Sequence, residues 1–254
     1  MNIKIQNMSR SLSQSLPLKK STGYLELIIG PMYSGKTSKL LEIYKQCKFC
    51  DISVCVINHS LDKRYHDSML SSHDKEMIPC LNIENIYDLW FNNGEIDLYQ
   101  RRFEIAPLEG ATHQTVTGNL VEISSAERIE MFNGVTEFAN KENHKLIRNS
   151  HVILINEGQF FKGLHTVVHD MLKNNKFVYI CGLDGDFERK KFGEILDLIP
   201  LCDTVTKLTS LCSLCKNGTL GIFSMRISNE KEQTVIGSDN YLPVCRNCYD
   251  KKSN

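Results

Sequence analysis

Short apolar runs alternate along the chain with stretches of helical spacing. Tyr24–Ile29 is a strand-sized apolar run, closed by the tight loop Gly30–Gly35. From Thr37 to about Lys48, Leu40, Leu41, Tyr44 and Cys47 recur at helical spacing. Ser53–Asn58 is a second strand, rich in β-branched residues. Strand, glycine loop, helix and strand in that order make a βαβ unit, which predicts a parallel sheet with helices on both faces. His151–Ile155 and Phe177–Cys181 read as further central strands, with a helix over Leu164–Leu172 between them. A helix or turn follows Phe192, and Thr204–Leu208 reads as the last strand of this unit.

Three stretches break the pattern. Residues 1–22 hold no acidic residue and are serine-rich, and are read as a disordered tail. Residues 87–149 read as a structured insertion or lid within the α/β domain 23–208, with a strand expected at Val121–Ile123 and a helix at Ile129–Phe138. From Thr209 the pattern turns to cysteine pairs and short β-like segments, so 209–254 is expected to be a separate small domain.

Composition narrows the classes. Of 254 residues 41% are hydrophobic, enough for a sizeable core, and 30 Lys plus Arg balance 30 Asp plus Glu. The zero net charge argues against a nucleic-acid coat or a polybasic membrane anchor. No apolar run reaches the ~18 residues of a membrane-spanning helix. Ten cysteines without a signal-peptide core point to a reduced, intracellular setting with some cysteines on metal.

Candidate chemistry begins at Gly30-Pro31-Met32-Tyr33-Ser34-Gly35-Lys36-Thr37, which fits G-x-x-x-x-G-K-[ST] between a predicted strand and helix. Backbone N–H groups of such a loop wrap phosphates, Lys36 would reach the β- and γ-phosphates, and the Thr37 hydroxyl would bind magnesium. A nucleoside triphosphate is thus the expected ligand, and the fold expected is P-loop NTPase-like α/β. A second carboxylate for the metal is expected at the end of a neighbouring strand. There the chain reads Asn156-Glu157-Gly158-Gln159, so an amide holds the acidic position, and Glu157 is the candidate general base.

Cys212-x2-Cys215 and Cys245-x2-Cys248 form two knuckles whose four thiolates can close a tetrahedron around a structural zinc. Cys47-x2-Cys50 falls at a helix end and, with Cys55, Cys80, Cys181 and Cys202, is read as reduced filling.

Together these segments resemble the zinc-containing thymidine kinases. Gly30–Thr37 is similar to that family's G-P-M-[FY]-S-G-K-[ST], Asp62-Lys63-Arg64-Tyr65 to its D-x-R-Y, and Asn156–Phe161 to its D-E-[AG]-Q-F-F. Leu183–Gly193 resembles L-D-G-x-F-x-R-x-x-F-G, and Tyr241–Tyr249 resembles Y-x-x-x-C-R-x-C-Y. The resemblance implies a RecA-like sheet with a C-terminal zinc-ribbon or lasso domain, and transfer of the γ-phosphoryl of ATP to the 5′-hydroxyl of thymidine. It implies Glu157 as base, Lys36, Arg64 and magnesium against the phosphoryl charge, Asp62 on the metal's water shell, and Gln159 near the phosphates. Met32, Leu183, Phe187, Phe192 and Tyr241 would hold the base, and backbone groups around Val235, Ile236 and Gly237 would read its edge. Deoxynucleoside salvage, feedback inhibition by dTTP, a homotetramer and a cytoplasmic location are implied as well.

Asn156 departs from the family's Asp, and an amide brings no charge to a divalent ion. Weakened magnesium affinity, raised again in Asn156→Asp, is the expectation. A degenerate kinase serving as a nucleotide sensor or structural partner is the alternative that Asn156 supports. A nucleic-acid-binding zinc-ribbon ATPase is disfavoured by the neutral charge.

Overall fold

β1, Tyr24–Ile29, lies inside a six-stranded sheet because it is apolar on both sides of its pleat. The computed structural model describes residues 22–62, 69–71, 75–91, 135–235 and 237–252. β1 is followed by α1, Lys36–Phe49, and by β2, Val54–His59. β3, Met69–Ser71, and β4, Met77–Pro79, pair antiparallel, and β5, Leu81–Ile83, joins the main sheet. Helical backbone over 86–91 and α2, Val135–Asn149, precede β6, Val152–Ile155. Then come α3, Leu164–Lys173, β7, Phe177–Gly182, a 3-10 segment at Ile195–Leu201, and β8, Thr204–Lys207.

The sheet order is β5-β2-β6-β7-β1-β8, and every pairing within it is parallel. All six strands therefore deliver the chain to the same edge, where the loops after β1, β2, β6 and β7 meet. This is the mixed α/β, P-loop-like sheet expected from the sequence.

Period-two alternation splits the core into two layers. Leu25, Leu27, Ile57, Ile153, Ile155, Val178 and Ile180 face one side, packed by Leu164, Val167, Val168 and Met171 of α3 and by Ile195 and Leu198. Ile28, Val56, Val152, Leu154, Phe177 and Tyr179 face the other, packed by Leu40, Leu41, Ile43 and Cys47 of α1.

The stretch read as an insertion is built into the first layer at both ends. Ile86, Trp90 and Phe91 on one side and Ile147 on the other are buried there. Trp90 donates its indole N–H to Asp170 Oδ2 at 2.8 Å, and the Arg148 guanidinium lies 4.3 Å from its ring centroid. The helix expected at Ile129–Phe138 overlaps the described helix Val135–Asn149, which docks on the core through Ile147, and residues 129–134 lie outside the described residues. The strand expected at Val121–Ile123 and residues 1–21 lie outside the described residues.

Beyond β8 the chain forms two small hairpins. β9, Ser210–Leu211, pairs with β10, Leu220–Gly221, and β11, Phe223–Arg226, with β12, Tyr241–Val244. α4, Arg246–Lys252, closes the described chain. Cys212, Met225, Val244, Cys245 and Tyr249 are the buried centre of this module.

Candidate active site

The glycine loop Gly30–Gly35 is shaped by backbone constraints. Gly30 has φ 154°, and a Cβ there would come within 2.4 Å of the Leu208 carbonyl oxygen, so only glycine fits. Gly35 caps α1 in the left-handed region with φ 82°. The buried Lys36 folds back, donating from Nζ to the Pro31 carbonyl at 2.6 Å, and Ser34 Oγ donates to the same oxygen at 2.8 Å. The loop thus holds its cation poised at the N-terminus of α1, where helix dipole and free N–H groups favour an anion.

One cavity joins this loop to the rest of the predicted site. Met32, Tyr33, Ser34, Gly35, Lys36 and Thr37 line one part of it. Asp62, Glu157 and Gln159 lie along it, and Leu183, Phe187, Phe192, Val235, Gly237 and Tyr241 line the remainder. Arg64 and Ile236 lie outside the described residues.

Glu157 occupies a left-handed backbone conformation, φ 54° and ψ 42°, uncommon for a non-glycine residue. Gln159 Nε2 donates to its Oε2 at 2.7 Å, while Gln159 Oε1 accepts the Leu183 N–H at 3.0 Å. Gln159 therefore ties the carboxylate to the loop after β7. Nearby His59 is buried between Phe160 and Phe161, at ring distances of 5.5 and 4.7 Å. Burial holds its pKa below the ordinary 6.5, partly offset by Glu84 and Glu157.

Asn156 is not among the cavity-lining residues. Its side chain is 1% exposed and hydrogen-bonded elsewhere, with Nδ2 donating to Asn58 Oδ1 at 2.7 Å and Oδ1 accepting the Cys181 thiol at 2.9 Å. Among the residues read as magnesium-associated, the cavity wall offers the Thr37 hydroxyl and the Asp62 carboxylate, hard oxygen donors of the kind magnesium takes.

Four residues of the site carry no motif signal. Ser224 Oγ accepts the Met32 N–H at 2.9 Å. The Arg226 guanidinium lies 3.7 Å from the Phe187 ring centroid and donates to the carbonyls of Glu230, Glu232 and Gln233 and to Tyr241 Oη. The buried Asp186 accepts the N–H groups of Glu188 and Lys190 on Oδ1 and Gln233 Nε2, at 2.7 Å, on Oδ2. Only their tertiary partners mark Ser224, Asp186, Arg226 and Gln233 as part of the site.

The sulfurs of Cys212, Cys215, Cys245 and Cys248 lie within 4.8 Å of one another, with Cys215 and Cys248 at 3.3 Å and Cys215 and Cys245 at 3.7 Å. A zinc tetrahedron with ~2.3 Å bonds needs sulfurs about 3.8 Å apart, so four soft donors at this spacing fit that ion. Cys47 and Cys55 behave as filling: both are buried, and burial pushes their thiols up to about 11 and about 12.

An all-parallel sheet with a phosphate loop after its first strand, a glutamate beside that loop and a four-cysteine module defines a P-loop nucleotide-binding protein of the kinase type. The family model for thymidine kinase matches residues 23–97 and 112–249, and the chain belongs to that family. It is 31% identical over 228 residues to the thymidine kinase of Sheeppox virus (strain KS-1), covering 89% of this chain and 97% of that protein. Against the cytosolic thymidine kinase of Bos taurus it is 30% identical over 235 residues, 92% of this chain and 75% of that one. Against thymidine kinase 1 of Dictyostelium discoideum it is 30% identical over 240 residues, 91% and 80% of the two chains. The family match leaves out 98–111, within the stretch read as an insertion.

Proposed function

We propose that the chain transfers the γ-phosphoryl of ATP to the 5′-hydroxyl of thymidine, giving dTMP and ADP, with deoxyuridine as a second acceptor. The observation that carries this reading is one cavity lined by Lys36 and Thr37, by Leu183, Phe187 and Tyr241, and by Glu157. In this mechanism Glu157 accepts the hydroxyl proton as the 5′-oxygen bonds to the γ-phosphorus and the bond to the ADP oxygen breaks. Gln159 keeps the Glu157 carboxylate oriented. Lys36 exchanges the Pro31 carbonyl for phosphate oxygens, and Arg64 is the second cation assigned to the transferring group. Thr37 and Asp62 would hold magnesium, which supplies charge neutralisation at the phosphates. Met32, Leu183, Phe187, Phe192 and Tyr241 sandwich the base, and the backbone at 235–237 reads its edge.

Cys212, Cys215, Cys245 and Cys248 would hold a structural zinc that fixes this C-terminal wall as a domain of its own from residue 209. Salvage of deoxynucleosides, inhibition by dTTP, a homotetramer and a cytoplasmic location complete the proposal and rest on the family resemblance. Among the described residues no helix is long and apolar enough to cross a membrane. Asn156 favours a second reading, a nucleotide-binding sensor that has lost transfer.

Labelled phosphate transfer from Mg·ATP to thymidine, deoxyuridine and deoxycytidine decides between them. Thymidine turnover falling by about 10²-fold or more in Glu157→Gln supports the kinase and its base. Bound nucleotide without turnover in the natural chain would replace the kinase by the sensor.

A further inference from the structure

Strand alternation puts Asn58, Asn156 and Cys181 on the face of the sheet covered by α1, at the ends of three adjacent strands, β2, β6 and β7. Their neighbours two residues back, Val56, Leu154 and Tyr179, belong to the layer packed against α1. Two amides and a thiol thus continue an apolar face where hydrocarbon would be expected. They are 2%, 1% and 1% exposed, and they bond to one another, from the Cys181 thiol to Asn156 Oδ1 and from Asn156 Nδ2 to Asn58 Oδ1. The backbone adds a further tie, from the Asn156 N–H to the Ile57 carbonyl at 2.8 Å. Polar groups buried this deeply are retained only with their partners made, and a satisfied chain of them fixes one geometry.

The residue that follows is Glu157, with its strained left-handed backbone. It is held on both sides. Gln159 fixes the side chain from the C-terminal side, and Asn156 anchors the main chain from the N-terminal side. Both ends of the Asn156 amide are thus engaged by buried partners, and the residue is not among those lining the cavity.

We propose that Asn156 is a positioning residue, paired with Asn58 and Cys181 to hold Glu157 in place, and that it takes no part in metal binding. The role assigned to Glu157 rests on the proposed kinase activity; the pairing and the metal statement do not.

The experiment has three arms on the full chain. In urea unfolding, Asn58→Ala, Asn156→Ala and the double variant should be strongly non-additive, the double being little less stable than either single. Additive losses would overturn the pairing. In ADP binding titrated with Mg²⁺, Asn156→Asp should leave the half-saturating magnesium concentration within about twofold of the natural chain. A tenfold lower requirement would make the position a metal site and overturn the proposal. In turnover, Asn58→Ala should lower kcat about tenfold while the KM values for ATP and thymidine stay within about twofold, and Asn58→Asp, which keeps the acceptor, should restore kcat. A natural kcat in a folded Asn58→Ala would overturn the positioning role. Absence of turnover in the natural chain would sink the kinase reading and with it the role of Glu157, and the first two arms would still decide what Asn156 does.

Discussion

The Met32 N–H, inside the phosphate loop, donates to Ser224 Oγ on β11 at 2.9 Å, across 192 positions of sequence. This bond attaches the loop that would grip phosphates to the hairpin beside the four cysteines. Ser224 is itself buried, so its loss leaves a main-chain donor in the loop without its acceptor. Ser224→Ala should raise the KM for ATP about fivefold, corresponding to about 1 kcal/mol, with a smaller change for thymidine. Initial-rate kinetics with each substrate varied in turn measures this. Equal changes in both constants would show that the bond serves the module rather than the loop.

The C-terminal module would draw its stability from a metal on its four cysteines. Among the described residues its buried centre comprises five, two of them cysteines, too few to hold a fold alone. Bound zinc would contribute about 10 kcal/mol or more to its folding. The purified chain should carry one zinc by elemental analysis, and Cys245→Ser should lose it together with thymidine turnover. A zinc-free preparation with full activity would contradict this.

Asp186 and Gln233 join the loop after β7 to the segment that lines the cavity before Tyr241. Gln233 is exposed as a residue, so the bond it makes is modest in strength. Gln233→Glu would set two carboxylates against each other, and the KM for thymidine should rise about threefold or more. Adding Asp186→Asn supplies a donor again and should restore it. A double variant no better than the single would rule out this contact as the cause.

Acid should weaken the fold through His59. Its folded pKa lies below the ordinary 6.5, so below pH 6.5 the unfolded chain binds the proton first. Stability therefore falls as pH drops from 6.5 toward the folded pKa, and levels off beneath it. His59→Gln should flatten this part of the pH dependence in urea unfolding. An unchanged slope would assign it to other groups.

The strand–loop–helix core was legible because its signals are local. Apolar runs, helical spacing and the glycine pattern around Gly30–Thr37 each act within a few residues, and the elements observed match them to within a residue or two. The four cysteines were legible because metal ligation fixes their spacing. Trp90, Arg148 and Asp170 were not, since their cluster spans 80 positions, and a lone tryptophan in a polar stretch signals nothing by itself. The same holds for Asn58 with Asn156, 98 positions apart. Asn156 read as a position facing the phosphates because motif order says which strand end it follows. Which way its side chain turns is decided by Asn58 and Cys181, which the motif does not contain.

Trp90 is the chain's only tryptophan, fully buried in the layer against α3, on the side of the sheet opposite α1. Intrinsic fluorescence of this protein therefore has a single, well-placed origin. Its emission reports whether residues 86–91 and the Ile147 end of α2 remain docked on the sheet, on the face opposite the one that α1 covers. A loss of that signal marks undocking or unfolding, and nucleotide binding is better followed by a dye on the ligand than by the protein's own light.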